Sequence, residues 1–346
     1  MKKFKLFMII TAVVSLMMLT ACGGGNAKEE SASNGEAKTG ADSDVITIKV
    51  GHISPDGQAY AIGFEEYAKA VEKATDGKVK FEIFGNGALG GERELLEGVQ
   101  LGTLDMSLIT TGVVTNFVPE VAVIEFPFLF RDLNHAYKTL DSEVGQELLD
   151  KMSDVNLKGI AFWENGQRHL ANSKHPVKSV ADLKGLKMRT IESELLLDTY
   201  SALGTNATPM AFPEVYSGLQ QGVIDGSDFS TGVYYTTKVY EQSKYFSEVG
   251  LYYASATLVM NQKLFDSLPE DVQTIVVNLG KEFAQRERQI NNDLTADYEK
   301  NLLENGVEII RAEDIDMDSF RQAVQPVYEK HAERYGDYIE RIQNIQ

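Results

Sequence analysis

The chain has 346 residues, with 33 lysines and arginines against 51 aspartates and glutamates, a formal net charge of −18. So acidic a molecule is a poor partner for nucleic acid or anionic lipid, which select cationic surfaces. Its single cysteine, Cys22, excludes an intrachain disulfide and a thiolate metal site, and a hydrophobic content of 43% is ordinary for a globular protein.

Residues 1–21 read as a processing segment. Lys2, Lys3 and Lys5 precede the apolar run Leu6–Leu19, which is too short and wrongly flanked for a membrane helix. The run ends in Leu19-Thr20-Ala21-Cys22, which resembles the lipobox of bacterial lipoproteins, so Cys22 is expected to become a lipidated first residue. Processing removes three lysines and no acid, which takes the net charge to −21. Residues 22–44 are rich in Gly, Ser, Ala, Lys and Glu, cannot bury a core, and are expected to form a flexible tether. Anchor plus tether describes an extracytoplasmic protein, lipid-anchored at the outer face of the cell membrane and working in water. One acyl chain holds weakly, so stable anchoring needs several. About 300 residues remain, enough for two domains.

Ile46–Val50 alternates as a strand, and the chain turns away at Gly51-His52-Ile53-Ser54-Pro55. Tyr60, Phe64, Tyr67 and Val71 recur on one face of a helix that Asp76-Gly77 stops. Val79–Phe84 reads as a strand, 85–91 as a glycine-rich loop, Glu92–Leu101 as a helix and Asp105–Thr110 as a strand. This alternation predicts a parallel sheet covered by helices. The loop lacks the lysine-serine ending of a P-loop and does not match GxGxxG, which excludes a nucleotide site.

A helix near Asn134–Lys151 and a strand at Gly159–Trp163 end the first set, and Asn165-Gly166 reads as a turn. A second set begins at Arg168. It runs extended to Asn172, then through a short helix at Val180–Leu183, a strand at Leu186–Arg189 and a helix at Glu194–Leu203. Met210-Ala211-Phe212-Pro213, a helix through Gln220 and Val223–Gly226 follow. Pro269 suits the start of a long helix reaching about Leu303, long enough to bridge two lobes.

Arg168 and Arg189 each stand at the end of an extended run. Ligands of open parallel sheets bind outside the carboxyl ends of the strands. Two guanidiniums there are placed to clamp an anion, with a planar fork that keeps its charge. The competing reading, surface ion pairs with the many acids, would hold for a lone arginine. No catalytic constellation accompanies them. None of His52, His135, His169, His175 and His331 has HExxH spacing, and no GxSxG elbow exists. His169, beside Arg168, is the histidine expected near the cleft, in a supporting role rather than as a metal ligand. Paired acids such as Glu92 and Glu94 read by themselves as a solvated helix face.

Several longer motifs follow one another: Gly85–Gly102 (GNGALGGERELLEGVQLG), Phe126–Asp132 (FPFLFRD), Trp163–Ser173 (WENGQRHLANS), Asp182–Arg189 (DLKGLKMR), Ala207–Gly218 (ATPMAFPEVYSG) and Leu219–Gly226 (LQQGVIDG). With these in order, the chain from about Ile46 onward resembles the solute-binding proteins of tripartite ATP-independent periplasmic (TRAP) transporters, in the dicarboxylate-binding-protein (DctP) family. The resemblance implies an α/β, two-lobed periplasmic-binding-protein-like fold, with hinge strands and a long helix spanning both lobes. On this reading lobe I is 45–166 plus 255–293, and lobe II is 167–254 plus 294–346. The lobes close on a small organic acid and deliver it to TRAP permease membrane subunits, with no catalysis, cofactor or metal. A receptor that presents a carboxylate to a membrane sensor kinase is the alternative. An ATP-driven importer is disfavoured by the long helix and DLKGLKMR, and an enzyme by the lack of a supported nucleophile or base.

The resemblance also implies roles. Arg189 is the principal carboxylate ligand and Arg168 the second arginine. Phe212 packs on the ligand, and Glu92 and Thr110 match positions that touch ligand hydroxyls in sugar-acid-binding relatives. His52 is a further expected ligand contact. One departure stands out: where the family commonly reads DGQENP, this chain has Asp225-Gly226-Ser227-Asp228-Phe229-Ser230. Phe229 replaces an asparagine that bonds the ligand. Either Phe229 offers the ligand an apolar wall, or Asp228 or Ser230 takes over the polar contact. An acid there favours ligand hydroxyls over a second carboxylate, which inclines the expectation toward a sugar acid or hydroxy acid over a C4-dicarboxylate.

Overall fold

The computed structural model describes residues 45–346. The expected signal segment, the tether and Cys22 lie outside the described residues. Among the described residues there are eleven strands: β1 (Ile46–Gly51), β2 (Val79–Phe84), β3 (Met106–Thr110), β4 (Leu157–Gln167), β5 (His169–Asn172), β6 (Lys187–Thr190), β7 (Asn206–Pro209), β8 (Gly226–Phe229), β9 (Tyr245–Ser247), β10 (Tyr253–Asn261) and β11 (Glu308–Ile310). They build two sheets, ordered β2-β1-β3-β10-β4 and β11-β9-β5-β8-β6-β7.

The first sheet is mixed, which corrects the expectation of a parallel one. β1 runs parallel to β2 and β3, while β10 lies antiparallel to both β3 and β4. All nine residues of β10 are buried, so no polar-apolar alternation announces it. In the second sheet β6 is parallel to β7 and β8, and β5 is antiparallel to β8 and β9.

The sheets are joined by a pair of antiparallel strands running side by side. Only Arg168 separates β4 from β5. Its N–H donates to the Tyr252 carbonyl at 2.8 Å, and the Leu251 N–H donates to the Arg168 carbonyl at 2.8 Å. Asn165-Gly166 is not a turn but the kinked end of β4. The kink is absorbed by a register shift opposite Ala254 and Ser255 and by a φ of +100° at Gly166. A Cβ there would also lie 2.7 Å from Ser230 Cβ, so glycine satisfies both the backbone and the close approach.

The spaced aromatic face of helix Ala59–Ala74 is buried, as its periodicity requires. It packs on the 35-residue helix Glu270–Glu304, which also touches β4 and, in the other half, helix Thr231–Thr236. Trp163 Nε1 donates to the Gly280 carbonyl of that long helix at 3.0 Å. The helix expected over 134–151 is two, Leu133–Leu140 and Glu143–Asp150, because Asp132 and Ser142 each cap a separate start. The C-terminal helix Gln325–Gln343 packs on segment Pro119–Glu125 and on helices Glu143–Asp150 and Glu194–Ala202. Among the described residues no helix is long and apolar enough to cross a membrane.

Candidate functional site

Beside the crossing strands lies a small pocket, with a cavity volume of about 30 Å³. Its walls come from both sheets. The loop after β1 supplies Ile53, Ser54 and Pro55, and Glu92 and Thr110 come from the same half. Arg189, Ile191 and Phe212 face them from the other half, and Asn165 and Arg168 come from the crossing strand. Five of the expected ligand residues therefore converge: Arg189, Arg168, Phe212, Glu92 and Thr110.

The two arginines are buried differently. Arg168 is 2% exposed and its Nε donates to Asp228 Oδ2 at 2.6 Å, while Nη2 donates to the Asp228 backbone carbonyl at 3.0 Å. Asp228 also accepts the phenol hydroxyls of Tyr200 at 2.6 Å and Tyr252 at 2.9 Å. Burial alone would raise the Asp228 pKa, but Arg168 and Tyr200 hold it below the usual carboxylate value. Burial likewise opposes the Arg168 cation, and the Asp228 charge outweighs it.

Arg189 has no such partner. It is 3% exposed, its Nε donates to the Met210 carbonyl at 2.9 Å, and its Nη1 is buried with no protein acceptor. Burial pushes its pKa below the ordinary guanidinium value, Asp228 offsets part of that, and the like charge of Arg168 adds to it. The Phe212 ring centroid lies 5.8 Å from the Arg189 guanidinium carbon. A buried cation with an unsatisfied donor is costly until an anion meets it.

Opposite stands Glu92, which is not on a solvated face as its pairing with Glu94 suggests. It is 7% exposed, and its Oε1 accepts the Thr110 N–H at 2.6 Å. Burial raises its pKa, and the Thr110 bonds and both arginines offset part of the rise. Thr110 Oγ1 accepts from Asn165 Nδ2 at 2.8 Å. Asn165 thus holds Thr110 in place at the pocket wall, a role hidden in sequence by its resemblance to a turn residue.

Four residues offered as ligand contacts do not line the pocket. Phe229 is fully buried in the apolar core of the second half, with its ring 5.6 Å from Tyr234. Asp228 points the other way along β8 and is committed to Arg168. Ser230 caps helix Thr231–Thr236 by accepting the Val233 N–H. In this structure none of Asp228, Phe229 and Ser230 lines the pocket. His52 is 3% exposed behind the pocket, between Tyr60, Phe64 and Gly85. Burial lowers its pKa and keeps it neutral. His169 is also held neutral, its pKa pushed to about 4 by burial and by Arg168, and its Nδ1 accepts the Gly250 N–H at 3.1 Å. Tyr200 and Tyr252, which fix Asp228, carry no motif that would mark them in sequence. Among the described residues no group of three His, Cys, Asp or Glu could hold a metal ion.

The family model DctP, bacterial extracellular solute-binding protein, family 7, matches residues 50–335. The chain belongs to this family. A solute-binding protein of Verminephrobacter eiseniae is 37% identical over 301 residues, 87% of this chain and 89% of the relative. The 2,3-diketo-L-gulonate-binding periplasmic protein YiaO of Escherichia coli is 31% identical over 304 residues, 87% of this chain and 92% of YiaO. Among solved structures, a TRAP periplasmic solute binding protein from Polaromonas sp. JS666 bound to D-erythronate superposes with a TM-score of 0.85 at 38% identity, covering 87% of this chain and 99% of that one. Another, from Pseudomonas putida F1 with bound D-glucuronate, gives 0.84 at 33% identity, covering 87% and 98%. These two-lobed proteins bind solutes and are not enzymes.

Proposed function

We propose that this DctP-family chain is the extracytoplasmic solute-binding subunit of a TRAP transporter, and that it captures a sugar acid or related hydroxy acid between its lobes. The lobes are those assigned from the sequence, 45–166 with 255–293 and 167–254 with 294–346. The observation that carries the ligand class is the contrast between the arginines. Arg168 is neutralised by Asp228, so Arg189, with its unpaired Nη1, is the pocket's one guanidinium without a protein counter-charge. That favours one carboxylate on the ligand. It is held by Arg189, with Arg168 adding a hydrogen bond, and Phe212 packs against it. Each hydrogen bond to a charged group contributes roughly 1.5–3 kcal/mol.

Glu92 supports the rest of the reading. A buried acid across the pocket repels a second carboxylate and accepts hydrogen bonds from hydroxyls. D-Erythronate and D-glucuronate, bound by the structural relatives, each combine one carboxylate with several hydroxyls. A ligand touching both lobes stabilises the closed form by the contacts made only there. The closed form then delivers the acid to the membrane permease subunits, while a lipid on Cys22 holds the protein at the membrane's outer face.

Thermal-shift and calorimetric screening of the protein lacking residues 1–21 tests this. A ligand that binds only the folded state raises the melting temperature. Aldonates and uronates are expected to raise it, and succinate and malate are not. Selective stabilisation by C4-dicarboxylates would overturn the ligand class.

A further inference from the structure

Glu125 ends the short helical segment Pro119–Glu125, is completely buried, and has no well-formed hydrogen bond to either carboxyl oxygen, only the nearby Gly112 backbone. It lies where the two halves meet. A Cβ placed on Gly112, just after β3, would be 2.8 Å from Glu125 Oε2 and 3.0 Å from Ile191 Cγ2. Gly112 follows the first sheet. Ile191 follows β6 of the second and lines the ligand pocket. Segment Pro119–Glu125 likewise packs on β10 and helix Thr111–Val114 on one side and on helix Glu194–Ala202 on the other.

The charged and titratable groups around Glu125 are Arg168 on the crossing strand, Asp228 on β8, Glu92 and the Tyr252 phenol. Asp228 already takes the Arg168 charge at 2.6 Å. Asp228 and Glu92 both oppose ionisation of Glu125. Burial pushes its pKa up to about 8, and Arg168 and the Gly112 backbone offset only part of the rise.

We propose that Glu125 is a proton-binding site coupled to ligand capture, so that the protein takes up one organic acid anion together with one proton. The inference rests on the proposed interlobe site. Opening the cleft draws Ile191 away from Gly112 and lets water reach the carboxylate, which then ionises as an ordinary glutamate. Closing strips that water. The incoming carboxylate also occupies the field of Arg168, which had partly supported the negative charge. Both changes favour the same transfer: a solvent proton bonds to a Glu125 carboxylate oxygen as the ligand anion enters, leaving the net charge unchanged. Affinity then falls as pH rises, by up to about tenfold per unit between the ordinary glutamate value and the raised one.

Calorimetric titration with D-erythronate and D-glucuronate, at one pH near neutrality in buffers of different ionisation enthalpy, reads the proton directly. The native protein is expected to take up about one proton per ligand, with a dissociation constant that rises from pH 6 to 8. Glu125→Gln keeps the shape without the charge change, and is expected to take up none and to bind independently of pH. Glu125→Leu gives the same comparison should the glutamine variant fold poorly. Uptake that persists in these variants would place the proton elsewhere, with Glu92 the first suspect, and overturn the proposal. Binding heat without proton uptake in the native protein overturns the proton site alone, whereas no binding heat with any sugar acid contradicts the ligand reading as well.

Discussion

Arg168 and Asp228 form an ion pair of 2.6 Å with side-chain exposures of 2% and 0%, fixed further by two tyrosine hydroxyls. The pair sits where the chain crosses between the sheets, so it belongs to the scaffold as much as to the pocket. Arg189, across β8, shares the burial without the partner. Two residues of one type thus have opposite energetics, and substitution separates them.

Arg189→Met should abolish tight binding while leaving the ligand-free fold as stable as before or more so, because an unpaired buried cation is removed. Arg189→Lys should also weaken binding at least about tenfold, on the order of 1.4 kcal/mol, since lysine lacks the bidentate fork. Calorimetry and urea unfolding check the two halves of this expectation.

Asp228→Asn should behave oppositely. It strands Arg168 in the interior, and breaking a buried pair costs about 3–5 kcal/mol. Urea unfolding of the ligand-free protein measures it. Combining it with Arg168→Met should recover part of the loss, and additive costs would argue against direct coupling.

The pH dependence of stability has two arms. Asp228 has a lowered native pKa, so its contribution is present above the unfolded value near 3.9 and is lost as pH falls through the native one. Glu287 and Glu164 have theirs raised, chiefly by burial. Glu287, 1% exposed, accepts the Glu164 N–H at 2.9 Å. Their contribution is present below the ordinary glutamate pKa and is lost as pH rises above it. Glu287→Gln should therefore lessen the fall in urea midpoint between pH 5 and pH 8, while Asp228→Asn should flatten the acid arm.

Glu92→Gln tests the choice of ligand. Removing the acid should relax the exclusion of a second carboxylate, improving binding of malate relative to D-erythronate by about tenfold, one such step being roughly 1.4 kcal/mol. Parallel titrations of the two acids measure that ratio.

Much of the fold is written in local patterns. The aromatic face of helix Ala59–Ala74, the alternation of β1 and β2, and Pro269 ahead of the long helix are each set by neighbours in sequence. β10 is not, because a strand buried on both faces has no alternation. Asn165 and Gly166 mimic a turn because the kinked end of β4 asks for the same backbone freedom. Within the pocket the arginines, Glu92, Thr110 and Phe212 were legible through motifs. Phe229 and Asp228 were not, because which strand face meets the ligand depends on register with β5. Tyr200, Tyr252 and Glu125 become meaningful only when segments distant in sequence close around Arg168.

A crystal structure with D-erythronate or D-glucuronate bound tests the central claim most directly. The ligand carboxylate is expected on the Arg189 guanidinium, within hydrogen-bond reach of Nη1, with a ligand hydroxyl on Glu92 and the Arg168–Asp228 pair intact. A carboxylate bound away from both arginines, or an Arg189 side chain turned out to bulk solvent in the occupied protein, would contradict it.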